Sequence, residues 1–455
     1  LRAEWRTLLI AEGIFLAFFL VWMGIVSEIP AINHTEKPMD FAFLNAVIRA
    51  EHFPPEDPWL AGHPISYYYF GHLIMASLTK LTGSAPAVGY NIAVSLIPAL
   101  VASASFGLLY NLIRSSGGSR RAGLGYGLLG PVLVVLIGNL EGVFEVAHSQ
   151  GWGSSGFWQW VGIKGLDGGT SAGGLFPDQG WWWWRATRVI DTLVDGQSLD
   201  YTITEFPFFS FLLGDLHPHV TSQPFLLLFL SLALNLFLSS RKVGLDWLRR
   251  SPLEFGAVAL TLGSLAFINT WDFPTYAAIL GLLLFTKAYG ESWEDRLSPG
   301  AAPKPDPLSL AAGNAALMMI PLVAAAALLF LPFYLDFSSQ AGGILLYTGP
   351  GTRALLFLVV IGVPFLLGAS LLFKQLGGIP RFSQEDAPAL LMVLIVALFP
   401  FLLWAVLMIS LALFAGGAGL DAGLDIGRIA GRTLFVLPGL GVVCLAGFSA
   451  LQRIK

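Results

Sequence analysis

Ten stretches of this chain, at about residues 7–26, 87–113, 123–147, 219–240, 252–269, 275–289, 307–331, 353–373, 388–414 and 431–451, are nearly unbroken runs of apolar residues. Roughly 20 apolar residues cross the hydrocarbon of a bilayer, so the pattern predicts about ten transmembrane helices, the sixth of them short. Residues 66–83 are also apolar enough to suggest a helix. The count of ten holds only if that segment lies along the membrane surface or re-enters instead of crossing.

The polar connections then set the sidedness, because short cytoplasmic loops carry an excess of Lys and Arg. With the N-terminus inside, the inner connections hold Arg114, Arg120 and Arg121; Arg241, Lys242, Arg249 and Arg250; Lys287, Arg296 and Lys304; Lys374 and Arg381; and Arg453 with Lys455. This arrangement predicts a multi-pass cell-membrane protein with both termini cytoplasmic and one transmembrane domain over residues 1–455. Two long loops fall outside, 27–86 with juxtamembrane helices and 148–218. All seven histidines lie in them or at their edge.

Composition agrees with that class. Hydrophobic residues make up 55% of the 455 positions and charged ones only 12%, against about a quarter charged in soluble proteins, and the mean hydropathy is +0.71. Arg2 and Arg6 flank a first run too long for a removable signal peptide, so it is expected to be an anchor. Cys444 is the single cysteine, which excludes an intrachain disulfide. No basic stripe with interleaved aromatics is present, so nucleic acid is not an expected partner.

Ionised groups are costly in a membrane protein, and their clustering is therefore informative. Residues 34–72 gather Glu36, Asp40, Glu51, Glu56 and Asp57 with four histidines. Glu36 and Asp40 stand four apart, where a short helix over 39–50 is predicted to begin after Pro38, so both carboxylates can face one cavity. Asp40 is read either as a catalytic base or as a helix-start cap. The run from Phe53 to His72 is rich in proline and predicts irregular backbone. It carries Asp57, His63 and His72, with Tyr67, Tyr68 and Tyr69 either as an interfacial aromatic anchor or as phenols that bind phosphate or sugar.

Three further groups share the predicted outer face. Glu205 with Asp215, His217 and His219 offers carboxylates and imidazoles suited to a divalent metal (Mg, Mn or Zn), or a hydrogen-bonded loop that orients substrate. Asn269, Trp271 and Asp272 form a turn between two apolar runs or line the same cavity. Arg185, Arg188 and Arg353, with Lys37, are the outer cations able to hold a phosphate. Trp181 to Trp184 beside Arg185 can anchor at the interface or cover a lipid or sugar.

The strings Thr35-Glu36-Lys37-Pro38-Met39-Asp40-Phe41-Ala42-Phe43, Pro54-Pro55-Glu56-Asp57-Pro58-Trp59-Leu60-Ala61-Gly62 and Tyr67-Tyr68-Tyr69-Phe70-Gly71-His72 resemble the uncharacterised archaeal and chloroflexus-type YYY membrane proteins, the DUF2298 family. Gly214 to His219 and Asn269 to Pro274 fit the same pattern, so the resemblance covers about residues 1–290. The arrangement is also similar to the GT-C class of polyprenyl-phosphate-dependent glycosyltransferases, which place acidic residues soon after the first span. That resemblance implies an all-α polytopic enzyme that transfers a sugar from a polyprenyl-phosphate donor, at the non-cytoplasmic face, to a glycan, lipid or protein acceptor. Asp40 would be the base and Glu36 its assistant. The adjacent acidic pair common in that class is here split by three residues. The rival expectations are a lipid or solute transporter or flippase, and a non-catalytic subunit that binds a partner through its outer loops.

Overall fold

The structure is a computed structural model and describes residues 4–167, 174, 177, 182–194, 197–198, 200–297, 306–338, 351–376, 383–414 and 426–454. These residues are helical or irregular, apart from a two-residue pairing of Leu193–Val194 with Gln197–Ser198 and two isolated bridges. Each of the ten apolar runs is helical over most of its described length.

Fewer of these helices have the length and apolarity of a span. Among the described residues five do: Trp5–Glu28, Pro86–Ser115, Pro218–Leu238, Pro307–Leu329 and Ala354–Lys374. Two bent pairs, Arg120–Leu136 with Glu141–Ser149 and Ala387–Phe399 with Phe401–Leu407, raise the number to seven. The difference from ten has local causes. Pro252–Ile268 has 17 residues. The run 275–289 lies inside Asp272–Leu297, whose last turns carry Lys287, Glu291, Glu294, Asp295 and Arg296. The third run is interrupted. After Arg120–Gly127 and a π turn over Val132–Leu136 the chain leaves the helix, and the Asn139 side chain accepts from the Glu141 amide as a new helix begins.

Contacts divide the chain into two compact units. The first comprises residues 1–138, 207–295 and 302–341. In it α1 (Trp5–Glu28) packs along α4 (Pro86–Ser115), while α2 (Lys37–Arg49) packs on α3 (Phe70–Thr82), which also touches α4. At 13 residues each, α2 and α3 reach about 20 Å, too short to cross a bilayer. Glu36 occupies the N-cap position of α2, Pro38 fills its first turn and Asp40 follows, the residue types a helix start favours; Gly83, in the left-handed region at φ 66°, ends α3.

The three tyrosines are packing residues as much as surface groups. Tyr67 stacks on Phe43 at 5.5 Å, Tyr68 lies 5.3 Å from Phe337, and Tyr69 meets Phe267 edge-on at 4.8 Å. They join Trp22, Leu44, Val94 and Leu216 in one core, and Trp22 donates to the Phe211 carbonyl at 3.2 Å. The close approach of α3 to Pro218–Thr221 requires Gly71, since a Cβ there would lie 2.6 Å from the Thr221 hydroxyl.

The second unit comprises residues 139–206, 296–301 and 342–455. Its core sets Trp158, Val161, Ile163 and Leu166 against Leu356 and Val359. The Ile426–Ile454 helix runs against both Ala354–Leu376 and Ala387–Phe414. Cys444 is buried. Trp181, Lys304, Arg381 and Lys455, named from the sequence, lie outside the described residues.

Candidate functional site

The start of α2 and the loop 214–217 meet in the first unit, and each half of the meeting is shaped by unusual backbone. His34 and Thr35 both have positive φ, 63° and 46°. A β-branched residue rarely adopts this conformation, which costs on the order of 1–3 kcal/mol, and it delivers Glu36 to the helix start. Opposite, Gly214 has φ 70°, and a Cβ on it would stand 3.3 Å from Val94 Cγ1 and 3.5 Å from the Lys37 ammonium group. The loop therefore lies directly against α2.

Five ionisable side chains converge there. Asp40 is fully buried, and its Oδ2 accepts from the Leu216 amide at 2.9 Å. Its Oδ1 stands 3.3 Å from Nε2 of buried His72, without hydrogen-bond geometry. His217 places Nδ1 3.1 Å from Asp215 Oδ2 and Nε2 2.5 Å from Glu36 Oε2. Asp215 is buried, whereas the Glu36 side chain is 52% exposed and the His217 side chain 22%. One potential ligand atom each from Asp40, Asp215 and His217 lies within 4.8 Å of the other two.

The electrostatics follow from this crowding of acids. Burial pulls the pKa of His217 down, but Asp215, Asp40 and Glu36 outweigh it and lift the value to about 9. Burial lowers the pKa of Lys37, with Asp215 opposing. The Tyr67 phenol is pushed up by burial and then by Asp40 and Glu36, which places it in the same field. The carboxylates thus favour the imidazolium form of His217.

His219 continues the loop, with its ring 5.2 Å from that of His217 and its Nε2 3.3 Å from Ser210 Oγ. Asp272 is coupled to it. Burial raises the pKa of Asp272, while hydrogen bonds from Ser222 and Asn269 and the charge of His219 act the other way. Asn269 donates to Asp272 at 3.1 Å, and Trp271 is exposed.

Other sequence candidates have local duties. Asp57 accepts from the amides of Trp59 and Leu60 at 2.8 and 3.1 Å, an Asx turn, and donates its own amide to the carbonyl of exposed His63. Behind it a cavity of about 660 Å³ is lined by Asn45, Arg49, Glu51, His52, Glu56 and Asp57. Glu205 and the three arginines belong to the second unit. Glu205 lies 3.8 Å from Arg188, which also donates to Tyr201 and sits 4.4 Å over the Trp184 ring. Arg185 grips Glu145 with two donors at 2.6 and 2.9 Å. Arg353 donates to the carbonyls of Trp160 and Val161. Thus Glu205 is held by a salt bridge within its own unit, and in the first unit Asp40 lies with Asp215 and His217.

Glu141 and Glu145 are a pair of acids that the hydropathy of the third apolar run conceals. Both are buried, and Glu141 lies against Glu145. The available signal was two acids one helical turn apart inside an apolar run, which is expensive and therefore rarely incidental.

Several helices of membrane length among the described residues mark a helical membrane protein. The sequence matches the family described as Uncharacterized membrane protein (DUF2298) over residues 1–448, and the chain belongs to that family. No curated protein and no solved structure matches it.

Proposed function

We propose that this chain is a membrane glycosyltransferase that moves a sugar from a polyprenyl-phosphate donor to an acceptor hydroxyl of a glycan, lipid or protein, at the non-cytoplasmic membrane surface. The observation that carries the reading is the Glu36–His217–Asp215 chain of contacts at the start of α2, with Lys37 beside it. Glu36 is the exposed acid of the group. Asp40, sealed from solvent and bonded to the Leu216 amide, is therefore assigned to holding the loop and Glu36 to the base. The acceptor O–H gives its proton to Glu36 as its oxygen bonds to the anomeric carbon. The bond from that carbon to the phosphate oxygen breaks, and the lipid phosphate leaves with the electron pair, met by the Lys37 ammonium. A lipid-linked donor supports a site of this kind because its tail stays in the bilayer while its sugar reaches the polar surface.

The test is transfer by purified protein in lipid supplied with a panel of polyprenyl-phosphate sugars, comparing wild type with Glu36→Gln. Turnover that vanishes in the variant supports the proposal; no turnover from any donor by folded wild-type protein removes it.

One observation favours transport instead. Glu141, buried beside Glu145 in a broken apolar helix pair, resembles the ionisable groups that transporters keep at membrane depth. Uptake or flipping by reconstituted protein, lost in Glu141→Gln and intact in Glu36→Gln, would decide for that reading.

A further inference from the structure

We infer that Asp40, Asp215 and His217 form a binding site for one divalent transition-metal ion of the Mn2+ or Zn2+ type. The ligand atoms already lie within 4.8 Å of one another. A metal with bonds near 2.1 Å holds its ligands roughly 3–3.5 Å apart, so small side-chain rotations close the site. Asp40 Oδ1, Asp215 Oδ2 and His217 Nδ1 are buried; Asp215 Oδ2 faces His217 Nδ1 at 3.1 Å and Asp40 Oδ1 faces His72 Nε2 at 3.3 Å, and none of them meets hydrogen-bond geometry. Buried polar atoms are rarely left so, and three of them from two separate segments point into one space. The Asp40 backbone is fixed in α2, and Gly214 permits the tight loop that brings the other two ligands against it.

The surroundings fit a metal better than a bare cluster of acids. His217 presents Nδ1 to the cluster and Nε2 to Glu36 at 2.5 Å, so its second nitrogen donates to a carboxylate, the arrangement that fixes the tautomer of metal-bound histidines. Two carboxylates with one imidazole suit Mn2+ or Zn2+ more than Mg2+, which prefers oxygen ligands and retained water. The partly exposed side of His217 leaves coordination positions open to an outside oxygen ligand. That such a ligand is the donor phosphate rests on the function proposed above; the site itself rests on the geometry alone.

The test is titration of the purified full chain with Mn2+, following free Mn2+ by electron paramagnetic resonance, with Zn2+ as competitor. Wild type should show a single saturable site. His217→Gln should weaken it by more than about 100-fold and Glu36→Gln by about 10–100-fold, while Glu205→Gln should leave it unchanged. Absence of saturable binding to wild type, or equal affinity in wild type and His217→Gln, overturns the inference. His217 is partly exposed, so its replacement is the variant on which the test turns; Asp215→Asn is scored only if it elutes as a single folded species. Metal binding without transfer would leave this site standing and remove the glycosyltransferase, whereas transfer by wild type that shows no saturable Mn2+ binding would do the reverse.

Discussion

Glu36 and Asp40 are one helical turn apart, yet burial separates their roles. Glu36→Gln should reduce transfer by at least about 100-fold, the lower range for loss of a general base, with an unchanged circular dichroism spectrum. Asp40→Asn keeps one oxygen able to accept from Leu216 but removes the charge facing His72. It should weaken Mn2+ binding while leaving the melting profile close to wild type, checked by parallel titration and thermal unfolding. Gly214 acts through its backbone. Alanine there must hold φ 70°, at a cost of about 1–2 kcal/mol, and press toward Val94 and Lys37. Gly214→Ala should therefore lower the unfolding temperature and metal affinity together, and an unchanged affinity would show that the loop position does not govern the site.

The helix start at Lys37 is legible in the sequence because Pro38 and the acids of the first turn have local preferences. Its partner is not, since the Leu216 amide that receives Asp40 is 176 residues away in sequence. The third apolar run shows the opposite failure. Hydropathy reads residues 123–147 as one helix, whereas the helix breaks and a second one, carrying Glu141 and Glu145, begins where Asn139 accepts from the Glu141 amide. In that helix Glu145 is neutralised by the two donors of Arg185. Arg185→Met leaves an uncompensated buried acid and should destabilise the protein by about 3–5 kcal/mol, read by chemical denaturation of the detergent-solubilised chain. Adding Glu145→Gln should restore part of that loss, because the buried charge is then gone.

The chain as a whole is a membrane protein of the DUF2298 family, and its sidedness can be tested directly. Cys444 is buried and is the single cysteine, so Cys444→Ser provides a background for single-cysteine labelling. Cysteines introduced at exposed Leu60 and at Arg241 should react with an impermeant maleimide from opposite sides of intact cells, Leu60 from outside. Labelling of both from the same side would overturn the topology and with it the outer location of the site. Apolar composition alone determined the membrane class, because transfer of side chains into hydrocarbon is additive along the chain and needs no partner. It also marked residues 34–72 and 214–219 as places where polar groups are concentrated. Tertiary structure decided the rest: how many apolar runs have the length to span, that Asp40 is sealed while Glu36 is open, that His217 bridges Glu36 and Asp215, and that Glu205 and the arginines are engaged in the second unit. Burial and pairing depend on segments far apart in sequence, and a one-dimensional pattern carries no record of which of them meet.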